Sequence, residues 1–532
     1  MHQHLHTFLR QLQLEPDRVM TPGWQADWED APLPYKLYRG LPAYPLPAEI
    51  PFSLDGINRD RSRQAPTLSD IGHLLWHTYG LTQLAQSVYN PGQSQALGEA
   101  SFVQITYRRF VPSGGGLYPN ELYVYLKLDE LPAGVYHYDT AHHRLILLRE
   151  GDFDRYIGLT MGEDSDGMRG SFGAAFVSTM YWKNFFKYNH FSYRLQGLDS
   201  GVLLGQLLEV SKRFGFEAQV RFQFLDRPMN RLLGLADEEE TVYAIVPLSI
   251  GGGDRRPLGG KEAVDANSLC GQLEEVRYEH YVRSFYVRPY PMLLELSKAA
   301  KQESAAAFVS EVKPVSSLME APLLQLPPAT RPSYDLGVIC RKRHSPEADF
   351  LLQDISLERL SALLHETIAS YAYRNDLDGE PTDRAPRVSL YGCFHRVAGI
   401  ADGAYRYDPL EHMLRLVRPG DHRARLQAGM TLHNVSLFQV PLTFHVAGDR
   451  SFYRDSLGVR GYRIAQMEAG MLVQRLLLAA NALGLGGRPL LGFDAASCDE
   501  LYRLEPAGLT SLIQIPVGPS RGRSRLEGSL GS

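Results

Sequence analysis

Cysteine is scarce in this 532-residue chain: Cys270, Cys340, Cys393 and Cys498 stand far apart, and no CxxC pair occurs. Such spacing argues against a zinc ribbon, iron–sulfur ligation or a disulfide framework, and it predicts free thiols in a reducing cytoplasm. An excess of basic charge is also lacking. The chain has 55 Lys and Arg against 60 Asp and Glu, a net charge of -5, so no nucleic-acid footprint is expected. No apolar run is long enough to cross a bilayer, and the start "MHQHLHTFLRQLQ" has no apolar leader core; neither membrane crossing nor secretion is predicted. Metal signals are thin. His73 and His77 stand at i and i+4 on a predicted helix without an HExxH or further ligands, and His2, His4 and His6 read as part of a mobile terminus.

What the chain does contain is an internal repeat. "GVYHYDTAHHRLILLREGD" from Gly134 matches "GAYRYDPLEHMLRLVRPGD" from Gly403. The same Gly134-to-Gly403 offset lays "YRLQGLDSG", ending at Gly201, on "YRIAQMEAG", ending at Gly470, and carries Gly215 onto Gly484. The sequence therefore reads as a tandem duplication. An N-terminal extension covers 1–51, a first unit 52–262, a helical extension and linker 263–332, a second unit 333–526 and a tail 527–532. Each unit runs from an amphipathic helix through alternating strands to a long apolar helix and a closing β-run, which predicts an α+β class with a sheet between helices. The long helices read as core.

"RRFVPSGGGLYPNELYVYL", from Arg108, sets three glycines ahead of an alternating run. Bare backbone there lets a flat or charged ligand lie on peptide N–H groups, although a flexible hairpin entry needs the same residues. No GK[ST] follows and the GxGxxG spacing is absent, so this is neither a phosphate loop nor a dinucleotide turn of the usual kind.

"PSGGGLYPNELYV", "GVYHYD", "KYNHFSYR" from Lys187, "EAGMLVQRLLLAANALGLG" and "PLLGFD" from Pro489, with Arg/Ser clusters before each unit's first helix, together resemble the FMN-dependent nitroreductase superfamily. The closer likeness is to its SagB-type branch, dehydrogenases associated with azoline-to-azole oxidation on ribosomal peptides. Members are dimers with flavin in the interface, so the resemblance implies two fused nitroreductase-like units forming an intrachain pseudo-dimer, with a further homodimer left open. It also implies one composite FMN site. Arg341, Arg343, Ser345, Pro489, Leu491, Gly492, Arg521 and Arg523 would come from the second unit, and Pro112, Ser113, Gly114 and Gly115 from the first. Lys187 and Tyr188 would be catalytic, Lys187 as base.

The two halves differ where this matters. Ser456 and Leu457 stand at the offset from Lys187 and Tyr188, and "PTDRAPRVS" from Pro381 replaces the glycine segment. "RDRSR" from Arg59 to Arg63 is the rival phosphate cluster that would make a second site. The implied function is an FMN-dependent oxidoreductase acting on a small or peptide-borne azoline-like heterocycle. The alternatives are an NAD(P)H-dependent nitro or quinone reductase and a non-catalytic flavin- or peptide-binding protein.

Overall fold

The computed structural model describes residues 3–54, 65–89, 102–163, 168–251, 264–315, 322–379, 386–522 and 527–529. The first half contributes β1 (Ala43–Pro45), β2 (Leu81–Tyr89), β3 (Phe102–Arg109), β4 (Asn120–Leu128), β5 (Leu131–Asp139), β6 (Arg144–Glu150), β7 (Ser171–Met180), β8 (Phe216–Val220) and β9 (Glu240–Ile250). The remainder contributes β10 (Leu323–Gln325), β11 (Arg374–Asn375), β12 (Ser389–Phe394), β13 (Gly403–Asp408), β14 (Met413–Pro419), β15 (Leu442–Asp449), β16 (Gly486–Gly487), β17 (Leu509–Gly518) and β18 (Glu527–Ser529).

Two sheets of one topology result. The first runs β1-β6-β5-β4-β7-β9-β8-β11 and the second β10-β14-β13-β12-β15-β17-β16. Register follows the Gly134-to-Gly403 offset: Met180 pairs Glu240 as Asp449 pairs Leu509; the edge strands β1 and β10 meet offset-related residues, Ile146 and Arg415, but do not themselves stand at that spacing. The chain is thus an α+β protein of two like units. Their outermost strands β1 and β10 lie in segments that the sequence reading assigns to the extension and the linker. β11, from the second half, adds in parallel to β8 of the first sheet, so the units share a sheet edge. β2 and β3 form a separate hairpin joined by β18.

The units meet along the helices Ser192–Arg213 and Arg460–Ala482, both buried over nearly their whole length. A β-carbon on Gly201 would lie 2.0 Å from the Met467 carbonyl oxygen, and one on Gly470 would lie 2.2 Å from that of Leu198. These contacts are related by the same offset, so the crossing sits on a pseudo-twofold axis, and only glycine allows so close a backbone approach. Asp226 of the first unit accepts from Arg460 and Arg463 of the second at 2.7–2.9 Å, all three fully buried.

The N-terminus is a correction. Gln3–Leu14 is helical with Leu5, Leu9 and Leu12 buried, because these leucines share one helical face that the histidines and glutamines between them disguise. Gln13 donates to the Ser511 carbonyl, fixing the helix to the second unit. All four cysteines are free and buried. Among the described residues no helix is long and apolar enough to cross a membrane.

Candidate functional site

The glycine segment is a tight corner at the end of β3. Ser113 Oγ donates to Asp199 at 2.5 Å, the Gly114 N–H reaches the same carboxyl at 3.2 Å, and the Tyr118 N–H donates back to Ser113 Oγ at 2.9 Å. Gly115 has φ +66, and a β-carbon there would lie 2.5 Å from Tyr188 Oη and 3.0 Å from Lys187 Nζ. Glycine at this position therefore does two things. It takes the left-handed turn without strain, and it leaves space for the two side chains of the helix Trp182–Tyr188 to reach the corner.

Lys187 is partly buried, with Nζ 5.1 Å from the Trp28 ring centroid and 4.9 Å from that of Tyr188. Burial lowers its pKa from the ordinary lysine value, since an ammonium loses hydration among aromatic rings. Among the described residues it forms no ion pair. Burial, with the Asp199 charge, pushes the Tyr188 phenol up to about 12, and the Arg488 guanidinium acts in the opposite sense.

The second unit approaches the same corner. Arg343, buried, donates from Nε to the Phe110 carbonyl at 3.4 Å, and its own carbonyl accepts from Arg108. Burial and the Arg108 charge lower its pKa to about 10; among the described residues no carboxylate pairs with it. Arg341 donates to the Phe52 carbonyl at 2.6 Å and stacks 4.3 Å from that ring. The Ser345 carbonyl accepts from Arg488 at 3.2 Å. Pro489, Leu491 and Gly492 are partly buried beside β17, where the Leu490 N–H donates to Gln514 and the Gly492 carbonyl accepts from Thr431. The Leu491 and Gly492 N–H groups have no acceptor among the described residues. Arg521 is exposed and its backbone N–H donates to the Asp349 carbonyl. Arg523, the Arg59–Arg63 cluster and residues 380–385 lie outside the described residues.

A buried guanidinium without a carboxylate and two amides without an acceptor among the described residues fit an anionic group joined to a flat ring with acceptor edges, whereas the glycine corner has already given its Gly114 N–H to Asp199 and its Gly116 N–H to the Ser113 carbonyl. At the offset positions the equivalent groups of the opposite composite site are self-satisfied. The N–H groups of Phe222 and Gln223, which correspond to Leu491 and Gly492, both donate to Asp376 at 2.9 Å. Glu468, which corresponds to Asp199, holds Arg387 and Tyr453 instead of a glycine corner.

Asp199, Trp28, Arg108 and Arg488 escape the sequence reading. For Asp199 a signal existed, since the repeat puts a carboxylate at both Asp199 and Glu468 of the paired helices. The sparse metal signals also resolve: His73 and His77 each turn a nitrogen to a backbone carbonyl, of Glu49 and Pro51.

Asp199 gives a pH prediction. Burial raises its pKa to about 7 against the hydrogen bonds from Ser113 and Gly114. The folded protein then holds a proton that the unfolded chain releases near pH 4. Stability from this group is full below about pH 4 and is lost as pH rises to about 7. Urea unfolding of Asp199→Asn beside wild type should show the difference between them shifting against wild type by up to about 4 kcal/mol across that window, at about 1.4 kcal/mol per pKa unit. Parallel stability curves would contradict it.

Residues 340–518 match the model of the nitroreductase family. The chain carries a nitroreductase-family domain. A 46-residue stretch is 48% identical to an oxygen-insensitive NAD(P)H nitroreductase of Enterobacter cloacae, over 9% of this chain and 21% of that protein. A 133-residue stretch is 26% identical to a protein of Methanocaldococcus jannaschii assigned as a nitroreductase, over 25% of this chain and 64% of that one. The chain thus spans less than two thirds of either relative. A crystal structure of a protein from Anabaena variabilis, also assigned as a nitroreductase, superimposes with a TM-score of 0.72 at 21% identity, covering 97% of this chain and 99% of the other. The likeness of fold therefore extends over both units.

Proposed function

We propose that the chain is an FMN-dependent oxidoreductase of the SagB type, a tandem duplication of units 52–262 and 333–526 with one productive flavin site. It would oxidise an azoline-like five-membered heterocycle, small or peptide-borne, in the cytoplasm. The observation that carries this reading is Lys187: a partly desolvated amine without an ion-pair partner among the described residues, held against the glycine corner.

Arg343, with Arg341 and the Ser345 hydroxyl, would hold the FMN phosphate. Leu491, Gly492 and the Gly114–Gly115 backbone would lie along the ring, and Pro112, Pro489, Arg521 and Arg523 complete the proposed set. When bound, FMN supplies the hydride acceptor. Lys187 takes the proton from the substrate carbon next to the one that loses hydride; its lowered pKa makes more neutral amine available near neutral pH. Tyr188, protonated with its pKa near 12, orients the substrate by hydrogen bonding. Trp28, about half exposed, walls one side of the amine and limits water there.

The stretch shared with the Enterobacter cloacae protein favours a second reading, a nitro or quinone reductase fed by NAD(P)H. Anaerobic mixing separates the two. The first expects an azoline-bearing peptide to bleach the flavin absorbance and NADPH to do so slowly. Rapid bleaching by NADPH with no response to any azoline would overturn it.

A further inference from the structure

We propose that His395, Asp402 and Asp421 form a binding site for a divalent transition-metal ion of the zinc class, at the far end of β12 from the segment that replaces the glycine corner. His395 follows β12, Asp402 precedes β13 and Asp421 follows β14, so adjacent strand connections bring the three together. One ligand atom from each lies within 4.8 Å of the others. His395 Nδ1 is 3.5 Å from Asp402 Oδ2 and 3.6 Å from Asp421 Oδ1. The two distances from the imidazole suit ligands placed about 2.0–2.2 Å from a common centre in tetrahedral array.

The imidazole carries the inference. Its side chain is 0% exposed, and among the described residues neither ring nitrogen has a hydrogen-bond partner, an expensive arrangement for a buried polar group. Nδ1 nevertheless faces two carboxylates that are 41% and 46% exposed. An ion there would meet a buried nitrogen on one side and solvent-facing oxygens on the other, with room for water to complete its shell. The surrounding charges allow it. Arg423 engages Asp421 through Nε and Nη2 at 2.6–3.1 Å, and the Arg396 N–H donates to Asp402 Oδ1 at 3.3 Å. These bonds orient the carboxylates and leave the trio with two formal negative charges against one guanidinium. The site is not a by-product of the repeated fold: at the offset positions the first unit has Leu126, Ala133 and Asp152, and only the aspartate recurs. One imidazole with two carboxylates favours zinc or manganese over magnesium or calcium.

The test uses full-length protein in which His2, His4 and His6 are changed to Gln, removing the terminal histidines as competitors. Titration calorimetry with Zn²⁺ should give one ion per chain, and Co²⁺ should develop a visible d–d absorbance. Asp402→Asn, at a solvent-facing position where folding is expected to survive, should weaken Zn²⁺ at least tenfold, and His395→Asn should abolish the Co²⁺ spectrum. Equal Zn²⁺ affinity in the parent and in Asp402→Asn, or no binding once the terminal histidines are gone, would overturn the proposal and leave an ion triad closed by a proton.

Discussion

Lys187→Ala is expected to turn over an azoline substrate about a hundredfold to ten-thousandfold more slowly than wild type, the usual loss when a general base is removed, while FMN content stays unchanged. The cofactor should survive because Lys187 faces Gly115, Trp28 and Tyr188 and not the cluster around Arg343. The sign of the pH dependence follows from the lowered pKa. Neutral lysine is the active form, so wild-type activity should climb with pH through a value below the ordinary 10.5, and the variant should lose that limb. A reductase fed by NADPH needs no base at this point and would keep its rate in Lys187→Ala. Loss of FMN with loss of activity would instead make Lys187 a structural support of the corner.

Arg343→Ala is expected to weaken FMN binding about tenfold to hundredfold, from about 1.5–3 kcal/mol for a hydrogen bond to a charged group. Burial sharpens this expectation, because the guanidinium is desolvated and, among the described residues, makes only a long bond to the Phe110 carbonyl, so an incoming phosphate would meet a donor already stripped of water. The variant's urea midpoint shows whether the anchoring at Phe110 was lost with it. FMN retained by Arg343→Ala and lost by Arg61→Ala would move the phosphate to the first unit.

The fold was legible through one constant spacing, the Gly134-to-Gly403 offset. Gly201 and Gly470 can be matched in the sequence because the helix crossing cannot accept a side chain on either, and Gly134 and Gly403 because both sit on a central strand beside a bulge. Elements without a counterpart in the other half were harder. The helix Gln3–Leu14 hides its three leucines among polar residues, and its partner surface at Ser511 is almost the whole chain away. Within the site, the glycine corner, Lys187 and Tyr188 were legible as motifs. Asp199 carried a signal only in the carboxylate repeated at Glu468, and its purpose shows only when Ser113 and Gly114 are seen hydrogen-bonded to it. Trp28 sits on an irregular segment whose path is set by contacts such as the Trp24 Nε1 bond to the Phe186 carbonyl, and no local pattern announces that path. Arg488 depends on packing between the units in the same way.

One productive site per chain is the claim on which the composite arrangement rests. The opposite composite site has already engaged its corresponding groups, with Asp376 on the Phe222 and Gln223 amides and Arg387 on Glu468, and it offers Ser456 and Leu457 in place of the lysine and tyrosine. The direct measurement is FMN released by denaturation from protein saturated with the cofactor, counted by absorbance against chain concentration. The expected result is one FMN per chain. Two per chain would contradict the account and place a second phosphate site at Arg61 and Arg63.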